Sequence, residues 1–290
     1  MDPALTDAFE AQRPRLSRLA YRMLGSVAEA EDAVQDAWLR WTKAGAAVTD
    51  PAAWLVRVTT RLCIDRLRAA KAERAAYRGP WLPEPLIEPL TADPMERAED
   101  VSVAFLLALE RLSPLERAVF LLHDVFDEDY TAVAEILGRS EPAVRQLASR
   151  ARAHVRDARP RFSVSQEDAA RLATAFMAAT AQGDMAGLSA LLTEDAILVT
   201  DGGGKRKAAL RVMVGRADIV RLLEGLAWRG GGPRLEGLRT ARVNGYPGLV
   251  LSLADGPETI AFQPGEDGLI AAVYMVRNPE KLAHVAGAGS

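Results

Sequence analysis

Arg145, Gln146, Ser149, Arg150 and Arg152 fall on one side of a segment whose other side carries Val144, Leu147, Ala148, Ala151 and Val155. Arg and Gln match the donor and acceptor pattern of base edges in a duplex major groove, whereas Ser and peripheral Arg suit phosphates. A second cluster places Trp54 among Arg57, Thr60, Arg61 and Arg68. An aromatic ring among cations suits single-stranded or melting DNA, where bases stack and phosphates need countercharge. Trp54 equally suits a core position. A third cluster is acidic: Asp32, Gln35 and Asp36 lie in a block that holds no Lys or Arg. Acids without a sequence-local partner suit a protein with a basic groove, or simply solvation.

The elements that must position these residues are legible from period and punctuation. Leu16, Leu19, Ala20, Met23 and Leu24 recur at helical spacing until Gly25-Ser26, and Ser26 with Glu29 has capping-box spacing for a second helix. That helix turns Ala30, Ala33, Val34, Ala37 and Trp38 inward and leaves Asp32, Gln35 and Asp36 on a neighbouring stripe. Asp50-Pro51 opens a third helix through Trp54, Leu55, Val58, Leu62 and Leu67 to about Ala76. Helix returns from Val101 to Leu112, and Ser113-Pro114-Leu115-Glu116 caps another. Tyr130–Leu137 ends at Gly138, and Ser140 caps the segment that bears Arg145. Helix, glycine turn and second helix form a helix-turn-helix signature; the bland alternative is a helical hairpin with a charged face.

With 290 residues the chain suits two domains of ordinary size. A net charge of −3 conceals two segments, 57–78 and 139–161, in which seven Lys and Arg outweigh two acids each. Local cationic segments in a mildly acidic chain suit local polyanion binding. Cys63 is the only cysteine and there are three histidines, so neither a disulfide framework nor a cysteine-rich zinc site is expected, and no cofactor or metal. No apolar run approaches a membrane span, and a cytoplasmic location is expected. Residues 79–94 hold five prolines and the apolar Trp81-Leu82-Pro83. They read as an extended, acidic connection, and its tryptophan suits docking on a folded surface. Beyond Pro160 the pattern becomes α+β: helices over 166–192 and 216–228, extended runs at Ala196–Thr200 and Lys207–Val214, and strands at 235–243, 247–254, 258–263 and 269–276.

Glu31-Asp32-Ala33-Val34-Gln35-Asp36-Ala37-Trp38, followed by Trp54-Leu55 and Asp65-Arg66-Leu67-Arg68, resembles regions 2.2 to 2.4 of bacterial extracytoplasmic-function sigma factors. Leu112–Arg117 with Tyr130–Arg152 resembles their region 4. Trp81-Leu82-Pro83-Glu84-Pro85, Asp201-Gly202-Gly203-Gly204-Lys205 and Asn278-Pro279-Glu280-Lys281-Leu282 resemble the motifs of the subgroup with a fused C-terminal SnoaL-like domain. The resemblance implies a region 2 bundle (1–78), a linker (79–100), a region 4 helix-turn-helix (101–160) and an α+β SnoaL-like cone (161–290). It implies core RNA polymerase as partner, with Asp32, Gln35 and Asp36 on the β′ clamp helices and region 4 on the β flap. Trp54, Arg57, Thr60, Arg61 and Arg68 would read the −10 element; Arg145, Gln146 and Ser149, flanked by Arg150 and Arg152, the −35 element. Arg61 stands where many members carry Asn, so base preference at −10 is not carried over.

For the last domain three readings stand. As a regulator, its Asp201–Lys205 loop docks on the sigma part, supported by Trp81, Pro83, Asn278 and Pro279, and no separate anti-sigma factor is needed. As a SnoaL-like cyclase or isomerase, it would use Asp195, Asp201, Tyr246, Asp255 or Tyr274, in a stretch without histidine between 155 and 283. As a ligand sensor, it would control a DNA-binding module. The first is the expectation, and no catalytic residue is assigned.

Overall fold

The computed structural model describes residues 3–88, 102–156, 166–228, 234–265 and 268–286. The acidic stretch 89–100, the helix start at Val101 and the domain boundary at 160–161 lie outside the described residues. By compactness, Met1–Ala75 with Ala104–Arg159 form one unit, and Ala76–Val103 with Pro160–Ser290 form the other. The helices expected to read the two promoter elements therefore share a unit, while the connecting segment belongs with the C-terminal domain.

The first unit is helical. Helices α1 (Pro3–Leu24), α2 (Val27–Ala44) and α3 (Pro51–Ala75) pack around Phe9, Leu16, Met23, Ala37, Trp41, Leu55 and Ile64. The Ser26 hydroxyl accepts from Glu29 N–H at 3.1 Å, and Asp50 Oδ1 from Ala53 N–H at 3.0 Å, so both expected caps form. The Trp41 indole N–H reaches the Leu5 carbonyl at 2.8 Å, which satisfies its one polar atom inside the core. Helix α4 is shorter than expected, Val103–Leu109, because the chain tightens into three-residue turns before Ser113. Then come α5 (Pro114–Phe120), one π-helical turn (Leu121–Val125), α6 (Tyr130–Leu137) and α7 (Glu141–Val155). Both halves of the capping box between Ser113 and Glu116 are made. Gly138 adopts φ +62, the left-handed geometry that closes α6 and turns the chain into α7.

The second unit is a seven-stranded sheet in the order β1-β4-β5-β6-β7-β2-β3, with three helices, α8, α9 and α10, contributing to one core cluster with it. In chain order these are β1 (Ile87–Glu88), α8 (Gln166–Gln182), α9 (Met185–Ala190), β2 (Leu192–Asp201), β3 (Met213–Val214), α10 (Arg216–Trp228), β4 (Leu235–Val243), β5 (Tyr246–Leu253), β6 (Gly256–Pro264), β7 (Ile270–Val276) and α11 (Ala283–Ala286). Every pairing is antiparallel except β2 with β7. Phe176 of α8 meets Phe262 of β6 at 4.9 Å in a cluster with Leu188, Ile219, Leu249 and Val273. The extended run expected over Lys207–Val214 is a strand only at its end. Before that, Ala209 N–H bonds to the Thr200 hydroxyl at 2.7 Å, so a side chain replaces the ladder. Strand β1 was not foreseen; it sits at the sheet edge, where a proline-rich approach costs no ladder bonds.

Candidate functional site

In the first unit, α3 turns three of the expected −10 residues, Trp54, Arg57 and Arg61, toward α6. Trp54 and Arg57 line a cleft of about 480 Å3 with Arg15, Glu128, Glu135 and Ile136. Arg61 Nε donates to the Ile136 carbonyl at 3.3 Å, and Arg15 pairs with Glu128 at 2.5 Å. Trp54 is half-buried, its ring 5.5 Å from that of Trp41, so it serves the core edge and the cleft together. Arg68 is exposed and bound to Asp65 at 3.2 Å. Thr60 differs from expectation: it is fully buried on the inner face of α3, beside the equally buried Thr59, and presents nothing to a ligand in this arrangement.

The acidic face is not unpartnered. Arg66 of α3 reaches Asp36 at 2.8 Å and Asp32 at 3.9 Å, whereas Gln35 and Leu39 are exposed beside them. The sequence block lacked a cation only because its partner is supplied by the neighbouring helix.

On α7 the inward residues Val144, Ala148, Ala151 and Val155 are buried; Arg145, Gln146, Ser149, Arg150 and Arg152 are exposed as expected. Each arginine meets a carboxylate of its own unit. Arg145 binds Glu141 at 2.6 Å and lies over the Tyr130 ring at 4.3 Å. Arg150 pairs with Glu116 at 2.9 Å, and Arg152 with Asp124 of the π-turn at 2.7 Å. Burial pushes the Glu116 carboxyl up, but bonds from Ser113 and the charge of Arg150 outweigh it and hold the group below its ordinary value. Bonds from Arg145 and Thr131 likewise hold Glu141 low.

In the second unit, Asp201 is completely buried at the end of β2. Its Oδ1 accepts from the Tyr77 hydroxyl at 2.6 Å and from Gly203 N–H at 2.9 Å; its Oδ2 accepts from Leu82 N–H at 2.9 Å and Lys281 Nζ at 2.7 Å. Lys281 also donates to the Leu82 carbonyl, with its ammonium over the Trp81 and Tyr77 rings at 4.2 and 4.9 Å. Asn278 donates to the Tyr77 oxygen at 2.9 Å and caps the turn that starts at Pro279. Pro83 is buried, and His284 contacts the Pro85 carbonyl at 2.9 Å. The three motifs thus converge on one latch that straps residues 77–88 onto the C-terminal domain. The glycine at 203 is required twice over: φ is +60, and a Cβ would lie 2.3 Å from Asn278 Nδ2. Gly202 is equally constrained, since a Cβ would meet the Arg206 carbonyl at 2.2 Å. Lys205 contacts Glu280. The loop is expected to dock on the sigma part; its partners are Tyr77, which the expected boundary at 78 places with region 2, Leu82 of the connecting segment, and Glu280 and Lys281 of the C-terminal domain.

Tyr77 and His284 were missed at the sequence level, and Lys281 was seen only as part of its motif. A lysine 8% exposed needs a buried acid, but nothing in the sequence says which. Of the catalytic candidates, Asp201 is consumed by the latch and Asp195 is exposed on β2. Asp255 binds Arg206 and Arg277. Tyr274 donates to Gln263 at 2.7 Å and stacks with Tyr246, and burial raises its pKa, so it is a poor proton donor or base near neutrality. Among the described residues no group of three His, Cys, Asp or Glu could hold a metal, and no helix is long and apolar enough to cross a membrane.

Residues 8–73 match the family model for Sigma-70 region 2, and residues 102–155 that for Sigma-70 region 4. The chain is 41% identical over 288 residues to the ECF RNA polymerase sigma factor SigJ of Mycobacterium tuberculosis (strain H37Rv), covering 94% of this chain and 92% of that protein. It is 36% identical over 191 residues to the probable ECF RNA polymerase sigma factor SigI of the same species (strain CDC 1551), covering 63% and 65%. The crystal structure of M. tuberculosis SigJ matches with a TM-score of 0.75 at 36% identity, over 96% of this chain and 98% of that one. With two matched sigma regions and likeness over nearly its whole length, the chain belongs to the extracytoplasmic-function sigma factors of RNA polymerase.

Proposed function

We propose that this sigma factor is held in a promoter-incompetent form by its own internal contacts and is released when regions 2 and 4 separate on core polymerase. Asp32, Gln35 and Asp36 bind the β′ clamp helices, and region 4 takes the β flap. Trp54, Arg57, Arg61 and Arg68 open and read the −10 element, while α7 reads the −35 element through Arg145, Gln146 and Ser149.

The single observation that carries this reading is the packing of the α3 face on α6. Two elements about 25 base pairs apart are separated by roughly 85 Å along duplex DNA. A compact unit of roughly 130 residues has a radius of gyration near 14 Å and spans about 36 Å. A unit of that size cannot touch both elements, so it must open. The SnoaL-like C-terminal domain acts as the built-in regulator through its hold on the segment that joins α3 to α4, in place of a separate anti-sigma factor.

The test is transcription with purified core polymerase on fragmented genomic DNA, comparing the full chain with versions ending near residues 160 and 276. Specific starts by the full chain or either version support promoter-directing activity, and their relative yields give the sign of C-terminal control. Folded protein that yields no starts in any version sinks the reading.

A further inference from the structure

Beside the Asp201 latch, the second unit has a concave site of about 330 Å3 whose lining includes Arg78, Thr200, Gly204, Lys205, Arg206 and Lys207. Four of these are cations, and no carboxylate belongs to the lining. Two of the cations are already committed. Lys205 contacts Glu280, and Arg206 is held by Asp255 and donates to the Pro257 carbonyl at 2.6 Å. Arg78 and Lys207 are both exposed, and neither makes an ion pair among the described residues. The Arg78 stem lies on Gly204, whose φ is +71 and where a Cβ would come 3.3 Å from Arg78 Cδ. Bare backbone thus brings the guanidinium's carrier close against the loop.

We propose that this pocket binds a small organic phosphate, gripped between Arg78 of the connecting segment and Lys207 of the loop. A phosphate monoester carries a charge of about −1.5 to −2 at pH 7, which matches two unpaired cations. The volume lies at the small end of the roughly 300–1,000 Å3 typical of ligand sites, suited to one sugar phosphate or mononucleotide. Arg78 follows Tyr77 directly in the chain, and Tyr77 donates to Asp201. A ligand bridging Arg78 and Lys207 therefore adds a second tie between the strap and the domain, on top of the latch, and strengthens the hold on residues 77–88.

The test uses the full chain, with inorganic phosphate, pyrophosphate and adenosine monophosphate as probes at constant ionic strength, read by calorimetry and thermal unfolding. Saturable one-to-one binding with a raised unfolding temperature is expected for at least one probe. R78Q combined with K207Q weakens it at least about tenfold, whereas R211Q, an exposed cation nearby but outside the lining, leaves it unchanged. Both altered side chains are exposed, and an unchanged unfolding temperature without ligand shows that the double variant is folded. Three outcomes overturn the proposal: no saturable binding of any probe in the low millimolar range, equal weakening by R211Q, or binding by DNA oligonucleotides alone.

Discussion

Arg61 of α3 donates its Nε–H to the carbonyl oxygen of Ile136 in α6, 3.3 Å away, although the two residues are 75 apart in sequence. The α3 face that carries Arg61 and the first helix of the helix-turn-helix are thereby joined in one unit. Arg117 Nη1 to the Met23 carbonyl, at 2.6 Å, and the contact of Arg74 with Glu110 extend the same seam. On the proposed function, promoter recognition breaks these contacts, so changes along the seam should shift the opening equilibrium.

Glu128→Gln removes the partner of Arg15, a pair that is 32% and 23% exposed. A partly exposed pair of this kind is worth about 1 kcal/mol at most, or up to roughly fivefold in the opening equilibrium. Promoter-fragment binding should therefore rise up to about fivefold, with faster amide exchange in α6. Unchanged affinity together with unchanged exchange would mean that the seam does not gate DNA binding.

Asp32→Lys with Asp36→Lys should abolish or strongly weaken core polymerase capture while costing under about 1 kcal/mol of stability, because both acids are largely exposed. Arg66→Gln separates direct contact from indirect positioning. If the acids themselves meet the polymerase, R66Q captures core as well as the parent protein; if they only hold α3, it fails equally.

Asp124→Asn frees Arg152, which this carboxylate now neutralises at 2.7 Å. Each additional phosphate contact steepens the dependence of log affinity on log salt by about 0.9. Affinity for duplex −35 DNA should rise at low salt, and the slope should steepen by up to that amount. An unaltered slope would show that Arg152 stays off the backbone.

Lys281→Met leaves Asp201 buried without its cation. Breaking one side of a buried pair costs about 3–5 kcal/mol, enough to lower the unfolding temperature of the C-terminal unit by many degrees. The Leu82 amide, bonded to Asp201 at 2.9 Å, should lose exchange protection, and the 77–88 segment should become a site of proteolytic cleavage. Retained protection at Leu82 argues that the strap is held by its apolar contacts alone.

Burial pushes the Cys63 thiol from an ordinary value of 9.0 up to about 12, against a smaller opposing pull from Arg66. The folded chain should resist alkylation near pH 8, since the thiolate is the reactive species, and react once unfolded. The sign follows from linkage. Above pH 9 the unfolded thiol loses its proton while the folded one keeps it. This group's contribution to stability is therefore intact below pH 9 and is lost progressively up to about pH 12, at most about 1.4 kcal/mol per pH unit. A Cys63→Ser variant that shows the same alkaline loss assigns the effect elsewhere.

Much of the architecture was legible before any coordinates. The caps at Ser26, Asp50 and Ser113, the glycine stop at Gly138 and the four C-terminal strands all follow from rules that act within a few residues, whereas Ser140, expected to cap α7, makes no side-chain cap bond. The exposed face of α7 was equally plain, since a 3.6-residue period assigns Arg145, Gln146 and Ser149 to one side once the apolar residues are buried. The misplacement of Thr60 marks where that rule weakens. On α3 a small hydroxyl fits either face, and only the packing of the neighbouring helices turned it inward.

Pairings between distant residues could not be read in this way. Arg66 with Asp36 spans 30 positions, Arg15 with Glu128 spans 113, and Tyr77 with Asp201 spans 124. The sequence alone settles which residues are helical, which are apolar and which motifs exist, because those properties depend on chemistry within one or two turns. Which acid neutralises which cation, and that the connecting segment folds onto the C-terminal sheet, depends on separations of a few ångströms in space. Coulomb energy and hydrogen-bond geometry respond to that distance and take no account of the number of residues between.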